Sequence, residues 1–414
     1  MVADGYKQTD VGVIPEDWNT KALSESFKFK NGLNKAKEFF GHGTPIVNYM
    51  DVYNNYGLKE NDIVGKVEVT GDEQRNYHVK KGDVFFTRTS ETVDEIGLST
   101  VVVDEVSNTV FSGFILRARP IDSLYDLAFK KYCFSSKIIR TQIMATSSYT
   151  TRALTNGTLL GKIIVPIPPK QEQQAIATAL SDTDELINSL EKLIAKKEAI
   201  KTGTMQELLT GKKRLDGFSG EWEEKKICEI AEVATGTTPP TSDSSNYGND
   251  YFFVGPVDLG KNKWILKTEK YLSKKGFSLS RVFPSNSILY TCIGSTIGKL
   301  GIANRVLTSN QQINAIFPNE SYSTSFLYYN LLYQTPKIRN MASEQAVPMI
   351  NKSDFGEVFL VMPKIDEQLA IATILSDMDS NIEALKAKLS KVKAIKEGMM
   401  QELLTGKTRL LEVS

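Results

Sequence analysis

The sequence predicts an α+β protein. Two globular α/β domains with curved sheets are separated by two long antiparallel coiled-coil helices, and the arrangement is pseudo-twofold symmetric. Three observations carry this expectation. One helical segment occurs twice, its apolar residues recur at heptad spacing, and each copy follows a block of short apolar runs broken by Gly, Asn, Asp and Pro.

The repeat is direct. Gln171–Leu215 aligns with Asp366–Leu410 without a gap at an offset of 195 residues, and 27 of 45 positions are identical. In the second copy Ile371, Leu375, Met378, Ile382, Leu385, Leu389 and Val392 step by four and three, the seam of a coiled coil; Ile176, Leu180, Thr183, Ile187, Leu190 and Ile194 hold the same places in the first. Ser181-Asp182 with Glu185 reads as a helix cap, so a short helix is expected to end near Leu180 and a long one of about 28 residues (about 42 Å) to begin there. Thr210-Gly211 and Thr405-Gly406 are stop signals. One apolar seam cannot be buried alone in water, and two in one chain can bury each other. Ile187, Leu190, Ile194, Ile382, Leu385, Leu389 and Val392 are the expected pairing residues. Packing of each helix on its own domain, or pairing with a second copy of the chain, remain the other readings at this level.

The division that follows is 1–168, a first domain; 169–215, a central helical region; 216–363, a second domain; and 364–414, a C-terminal helical region. Both domains open alike, with Trp18 ahead of Ala22-Leu23-Ser24-Glu25 and Trp222 ahead of Ile227-Cys228-Glu229-Ile230, and both close on a Val/Ile/Pro-rich run before the long helix. Their interiors differ. Two similar frames with different interiors imply two different recognition surfaces on one scaffold. A DNA duplex is itself pseudo-twofold, and surfaces about 40 Å apart would meet one face of it about a helical turn apart.

Composition narrows the classes. The 414 residues are 41% hydrophobic and 24% charged with a net charge of +1, so any basic footprint is local. No apolar stretch is long enough to span a membrane and Met1–Tyr6 has no signal-peptide core, so a cytoplasmic protein without a membrane partner is expected. Cys133, Cys228 and Cys292 are scattered and read as packed small residues, and His42 and His78 stand apart; no metal site and no cofactor are expected. Two strings, Gly157–Lys162 and Gly294–Lys299, imitate a phosphate-binding loop, but with three residues between the glycines and no Ser or Thr after the lysine they read as turns joining strands. No Asn-Pro-Pro-aromatic string of an adenine methylase occurs, and no residue is assigned a catalytic role.

The opening Tyr6–Trp18, the Pro169-Lys170-Gln171-Glu172-Gln173 and Pro363–Gln368 entries to the helices, the doubled Gln-Glu-Leu-Leu-Thr-Gly-Lys exits and Ser309-Asn310-Gln311-Gln312-Ile313 together resemble the specificity subunits (HsdS) of type I restriction–modification enzymes, over the whole chain. The resemblance implies a non-catalytic subunit whose two target recognition domains each read one half of a bipartite site in double-stranded DNA. It implies helices that measure the spacer and dock two methyltransferase subunits, with restriction/translocase subunits joining them. The first domain departs from the pattern, having Asn108–Phe114 where the second has its Asn-Gln-Gln run. A two-headed protein-interaction scaffold without DNA specificity is the alternative.

Base reading calls for bidentate side chains such as Arg, Asn and Gln, and phosphate contacts call for Lys, Arg, Ser and Thr. The DNA-binding candidates in the first domain are Lys81, Thr87, Arg88, Thr89, Ser90, Ser148, Tyr149 and Arg152. In the second they are Thr237, Thr238, Ser295, Thr296, Lys299, Asn310, Gln311, Gln312 and Lys352. Arg88, Gln311 and Gln312 lead. The helix lysines (Lys192, Lys196, Lys197, Lys201, Lys386, Lys388, Lys391, Lys393 and Lys396) form either a solvated face or a positive strip toward DNA or an acidic partner.

Overall fold

The structure, a computed structural model, describes residues 2–149, 151–343 and 346–410. It divides into two units, Met1–Glu191 with Lys388–Ser414, and Lys192–Ala387. Two helices of 39 residues, α1 (Lys170–Leu208) and α2 (Ile365–Leu403), each begin in one unit and end in the other. At about 1.5 Å per residue each is about 58 Å long.

The expected break at Ser181-Asp182 is absent: α1 runs through it, 39 residues instead of about 28. The polar side chains there have other partners. Tyr132 Oη lies 3.0 Å from Ser181 Oγ and donates to Asp184 at 2.7 Å, while Thr183 Oγ1 returns to the Ala179 carbonyl. A cap is needed only where backbone N–H groups lose their carbonyls, and here the preceding turn supplies them. The stop signals hold. Gly211 and Gly406 have φ of +68° and +71°. Gly406 has a second reason to be glycine, because a Cβ there would lie 2.4 Å from Pro15.

In the first unit a five-stranded sheet is formed by β1 (Phe27–Asn31), β2 (Gly57–Leu58), β3 (Val84–Thr87), β4 (Ser99–Val102) and β5 (Ile115–Pro120), in the order β1-β5-β3-β4-β2. In the second, β6 (Val233–Thr235), β7 (Trp264–Ile265), β8 (Ile288–Thr291), β9 (Leu300–Ala303) and β10 (Ile313–Ile316) are ordered β6-β10-β8-β9-β7. The permutation is the same, and so is the single parallel pair, β2 with β4 and β7 with β9. Each unit is mixed α/β. The closing run of each domain (Ile164–Ile167, Phe359–Met362) pairs antiparallel with a strand near that domain's start (Asn19–Ala22, Glu223–Lys226).

Each core needs both long helices. Ile176, Ala177 and Leu180 from the start of α1 and Leu403-Leu404 from the end of α2 lie in the first unit's core. Ile371, Ala372 and Leu375 from the start of α2 and Met205, Leu208 and Leu209 from the end of α1 lie in the second. Ion pairs mark an antiparallel register in each: Glu191 with Lys393 (2.7 Å) and Asp184 with Lys396 (2.6 Å) in the first, Glu198 with Lys386 (2.6 Å) and Asp379 with Lys201 in the second. Of the expected seam, Ile187, Leu190, Ile194, Ile382 and Val392 are buried. Leu385 and Leu389 are only half-buried. The lysines split: Lys192, Lys196, Lys197, Lys388 and Lys391 are exposed, whereas Lys201, Lys386, Lys393 and Lys396 are spent on these pairs.

A buried charge anchors each helix start. Glu172 has no exposed surface and accepts from Arg409 at 2.6 and 2.8 Å and from Trp18 Nε1 at 2.8 Å; Arg409 also grips Asp17 at 2.8 and 2.9 Å. The equivalent Glu367, 2% exposed, accepts from Arg214 at 2.7 and 2.7 Å. The next residue holds each domain to its helix. Gln173 accepts from Asp126 N–H and donates to the Leu124 and Pro168 carbonyls. Gln368 accepts from Ser323 N–H and donates to the Pro363 carbonyl.

Two further expectations fail. Gly157–Gly161 is a short helix capped by the Asn156 side chain, and only Gly294–Lys299 is a turn between strands, β8 and β9. Cys133 and Cys292 are buried as expected, but Cys228 is exposed, with Sγ 3.8 Å from Glu357. Among the described residues no helix is long and apolar enough to cross a membrane.

Because Arg409 neutralises a carboxylate with no access to water, Arg409→Ala is expected to destabilise the protein by about 3 kcal/mol. Chemical denaturation of the variant checks this.

Candidate nucleic-acid interface

In the first unit, β5 opposes β3 and β1 with Ile115 facing Thr87 and Leu116 facing Asn31. The end of β3, the start of β5 and the end of β1 therefore meet at one sheet edge. Three loops emerge there: 32–35, 88–91 and 112–114. They pack tightly, since a Cβ on Gly32 would lie 2.0 Å from the Ser112 carbonyl oxygen and one on Gly113 2.0 Å from Asn34 Oδ1. Thr89–Ser90 continues into a small sheet with Ala153–Leu154 and Ser148–Tyr149, which brings Tyr149 and Arg152 to the same edge. A cavity of about 510 Å³ opens here between Tyr49, Tyr53, Phe114, Glu91 and Arg152.

The second unit repeats this edge with other side chains. Thr235 faces Asn314 and Thr291 faces Ile313, so loops 236–238, 292–299 and 310–312 emerge together. A Cβ on Gly236 would lie 2.2 Å from the Asn310 carbonyl oxygen. Thr238 donates to Gln311 at 2.5 Å, Asn310 Nδ2 donates to Gln312 at 2.9 Å, and Thr237 Oγ1 accepts from Arg281 N–H at 2.7 Å. Met349 bridges to Ile293, and Asn351 caps the short helix that Lys352 opens.

The structure thus gathers most of the expected residues at the two edges, and three stand apart. Lys81 lies at the opposite end of β3, in the turn where Asp83 caps Lys80 N–H and takes two bonds from Arg119. Thr87 is buried, its hydroxyl accepting from Leu98 N–H and donating to the Glu95 carbonyl. Ser90 is 5% exposed and accepts from Thr92 N–H. Thr87 and Ser90 shape the loop from inside, so their own atoms are not free for a ligand. Thr89 and Arg88 are half-buried, with Arg88 Nη1 3.5 Å from the Gly113 carbonyl. Ser148, Tyr149 and Arg152 are exposed. In the second unit Thr238, Ser295, Gln311 and Lys352 are exposed, and Thr237, Thr296, Lys299, Asn310 and Gln312 are half-buried.

Sequence reasoning missed other residues of these edges. Phe114 is 65% exposed beside the cavity. Arg281 reaches the second edge through its N–H and its guanidinium, which donates to the Thr235 carbonyl. Arg339 donates to the Ser295 carbonyl from the end of helix Thr324–Arg339. The arginines come from distant segments, and only the fold brings them in. Phe114 closes the Asn108–Phe114 string, and its aromatic side chain carries none of the polar groups that base or phosphate contacts call for.

The edges differ electrostatically. The first mixes charges: Arg152 lies 4.0 Å from Glu91, and Tyr53 donates to Glu95 at 2.8 Å. That carboxylate holds the Tyr53 hydroxyl above its usual range. At the second edge Arg281, Arg339, Lys299 and Lys352 accompany amide and hydroxyl groups. Fixed amides and guanidinium groups on a rigid edge can form paired hydrogen bonds with base edges, and hydroxyl and cationic groups can contact phosphates. Among the described residues no cluster of His, Cys, Asp and Glu could hold a metal ion.

Comparison with known proteins agrees on one family. Its pattern, the type I restriction modification DNA specificity domain, matches twice, over residues 15–202 and 219–394. A Methanocaldococcus jannaschii chain assigned as the MjaX type I restriction enzyme specificity subunit is 26% identical, the alignment covering 98% of this chain and 97% of that one. Among solved structures, a chain from work on complex assembly and conformational transition of the type I restriction–modification system superposes with a TM-score of 0.61 at 18% identity, covering 95% of this chain and 99% of that one. The S subunit of a Mycoplasma (M. genitalium) type I system gives 0.58 at 17% identity, covering 93% and 96%. These two structures support the fold.

Proposed function

Since the chain belongs to the type I restriction modification DNA specificity family, we infer that it is the sequence-reading subunit of a type I restriction–modification complex, and that it binds DNA without cutting or methylating it itself. It carries two specificity domains, each reading one half of a bipartite target. Its partners are double-stranded DNA, the methyltransferase subunits, two in number, and the restriction subunits of the complex. Its place of work is the cytoplasm, where those partners and the DNA are.

One observation carries this reading: a twofold match to the family in a chain whose two domains share a strand order and present different side chains at the same sheet edge. A shared frame suits a shared task, and different edges suit different half-sites. The four segments serve as functional parts, 1–168 and 216–363 as readers and 169–215 and 364–414 as the frame on which the methyltransferase subunits dock.

Within the readers, Arg88, Thr89, Ser148, Tyr149 and Arg152 are assigned to the first half-site. Thr237, Thr238, Ser295, Thr296, Lys299, Asn310, Gln311, Gln312 and Lys352 are assigned to the second, with Arg281 added from the fold. Lys81 is set aside on its position, and Thr87 and Ser90 are given a shaping role on their burial.

Replacing residues 216–363 by the corresponding domain of another family member is expected to change one half of the methylated motif and leave the other. Methylome sequencing of cells carrying the chimaera reads this, and a change in both halves overturns the modular reading. Among single variants, Gln312→Ala is expected to weaken binding to the cognate site by about 1–3 kcal/mol, roughly fivefold to 150-fold, in the assembled methyltransferase complex. Lys81→Ala should leave affinity within about twofold, as expected of a surface lysine remote from the contact. Titration of labelled duplexes at fixed salt distinguishes the two.

A further inference from the structure

We propose that the middle of the helix pair carries a charge code that makes α1 select α2 and reject a second copy of itself. Superposing the two copies of the repeat makes Glu191 equivalent to Lys386 and Glu198 equivalent to Lys393. Both positions therefore hold an acid in the first copy and a base in the second. The structure joins them crosswise: Glu191 with Lys393 in the first unit and Glu198 with Lys386 in the second.

Now let a second α1 take the place of α2. Glu198 of that copy would stand where Lys393 stands, against Glu191, and Glu191 of that copy would stand against Glu198. A pair of α2 helices would likewise set Lys386 against Lys393 twice. Like charges so placed repel by about as much as opposite ones attract.

The other ion pairs between the helices do not discriminate. Asp184 and Asp379 are equivalent, as are their partners Lys396 and Lys201. The buried anchors are duplicated too, Glu172 with Arg409 and Glu367 with Arg214. A duplicated frame of this kind would let any half of the chain pair with a half of its own kind. The two crosswise pairs break that symmetry through charge, alongside the buried Val392, whose equivalent in α1 is the exposed Lys197, and a heptad helix pair commonly chooses its partner through flanking charges of this kind. The inference concerns partner choice alone and is independent of what the two domains bind.

The test uses the folded full chain with a protease site inserted between the exposed Asp216 and Gly217. After cutting, the two halves are held by non-covalent contacts. The cut protein is incubated in the denaturant concentration at which isotope-labelled and unlabelled wild-type chains have exchanged halves, and native mass spectrometry then counts like and unlike pairs. The wild type is expected to return predominantly unlike pairs. The double variant E191K/K393E keeps both ion pairs in the unlike assembly, and it also satisfies them in like pairs. Its like pairs should exceed those of the wild type by at least about tenfold. The fourfold variant E191K/E198K/K386E/K393E, which exchanges the code between the helices, should behave as the wild type. Equal fractions of like pairs in the wild type and the double variant, whether high or absent, would overturn the proposal.

Discussion

A carboxylate withdrawn from water must be neutralised where it stands, and this chain places one such group at the start of each long helix. Glu172 and Glu367 open the two long helices, and each is answered by an arginine just beyond the end of the other helix. The consequence is topological. The last turns of the chain belong to the first unit, and neither core is complete until the far end of the other helix arrives with its paired leucines, Leu403-Leu404 or Leu208-Leu209. Antiparallel pairing follows from that requirement as much as from the apolar seam, which is only partly buried at Leu385 and Leu389.

The two anchors are equivalent in sequence and unequal in detail. In the first, the fully buried Trp18 donates to Glu172, and Glu172 shares Arg409 with Asp17. In the second, the Trp222 ring lies under the Arg214 guanidinium at 5.7 Å and its buried Nε1 has no partner among the described residues. A tyrosine–aspartate contact nearby is kept in both: Tyr132 to Asp184 and Tyr329 to Asp379, with a lysine on each aspartate. Burial and the adjacent carboxylate hold both tyrosine hydroxyls well above their usual range, so they remain donors at any physiological pH. The frame is thus conserved between units by polar contacts whose geometry is demanding, and it varies where a ring can pack instead of donate.

The edges proposed for recognition lie where that frame is least constrained. The same strand order delivers three loop ends to one edge in each unit, and glycines at 32, 113 and 236 let those loops press together closer than a side chain would allow. What stands on the edge is then free to differ. Ser112-Gly113-Phe114 in one unit occupies the place of Asn310-Gln311-Gln312 in the other, preceding the equivalent strands β5 and β10. A family whose members must read different targets on a common assembly needs this separation of a fixed scaffold from exchangeable edges.

Periodicity and self-similarity determined the two helices, their stop signals and the alternation of folded blocks and helices, while the family was legible as a resemblance carried by the Tyr6–Trp18 opening, the helix entries and exits and Ser309–Ile313. These are properties of local spacing, and local spacing is written along the chain. The strand order, the pairing of Asn19–Ala22 with Ile164–Ile167, the buried role of Thr87 and the arrival of Arg281 and Arg339 at the second edge were decided by the tertiary structure, because they join segments tens to more than a hundred residues apart. The continuous helix through Ser181-Asp182 teaches the same lesson in reverse. Its residues spell a cap, but a helix end exists only where the backbone runs out of carbonyls, and here the preceding turn supplies them while Tyr132 of the folded domain engages Ser181.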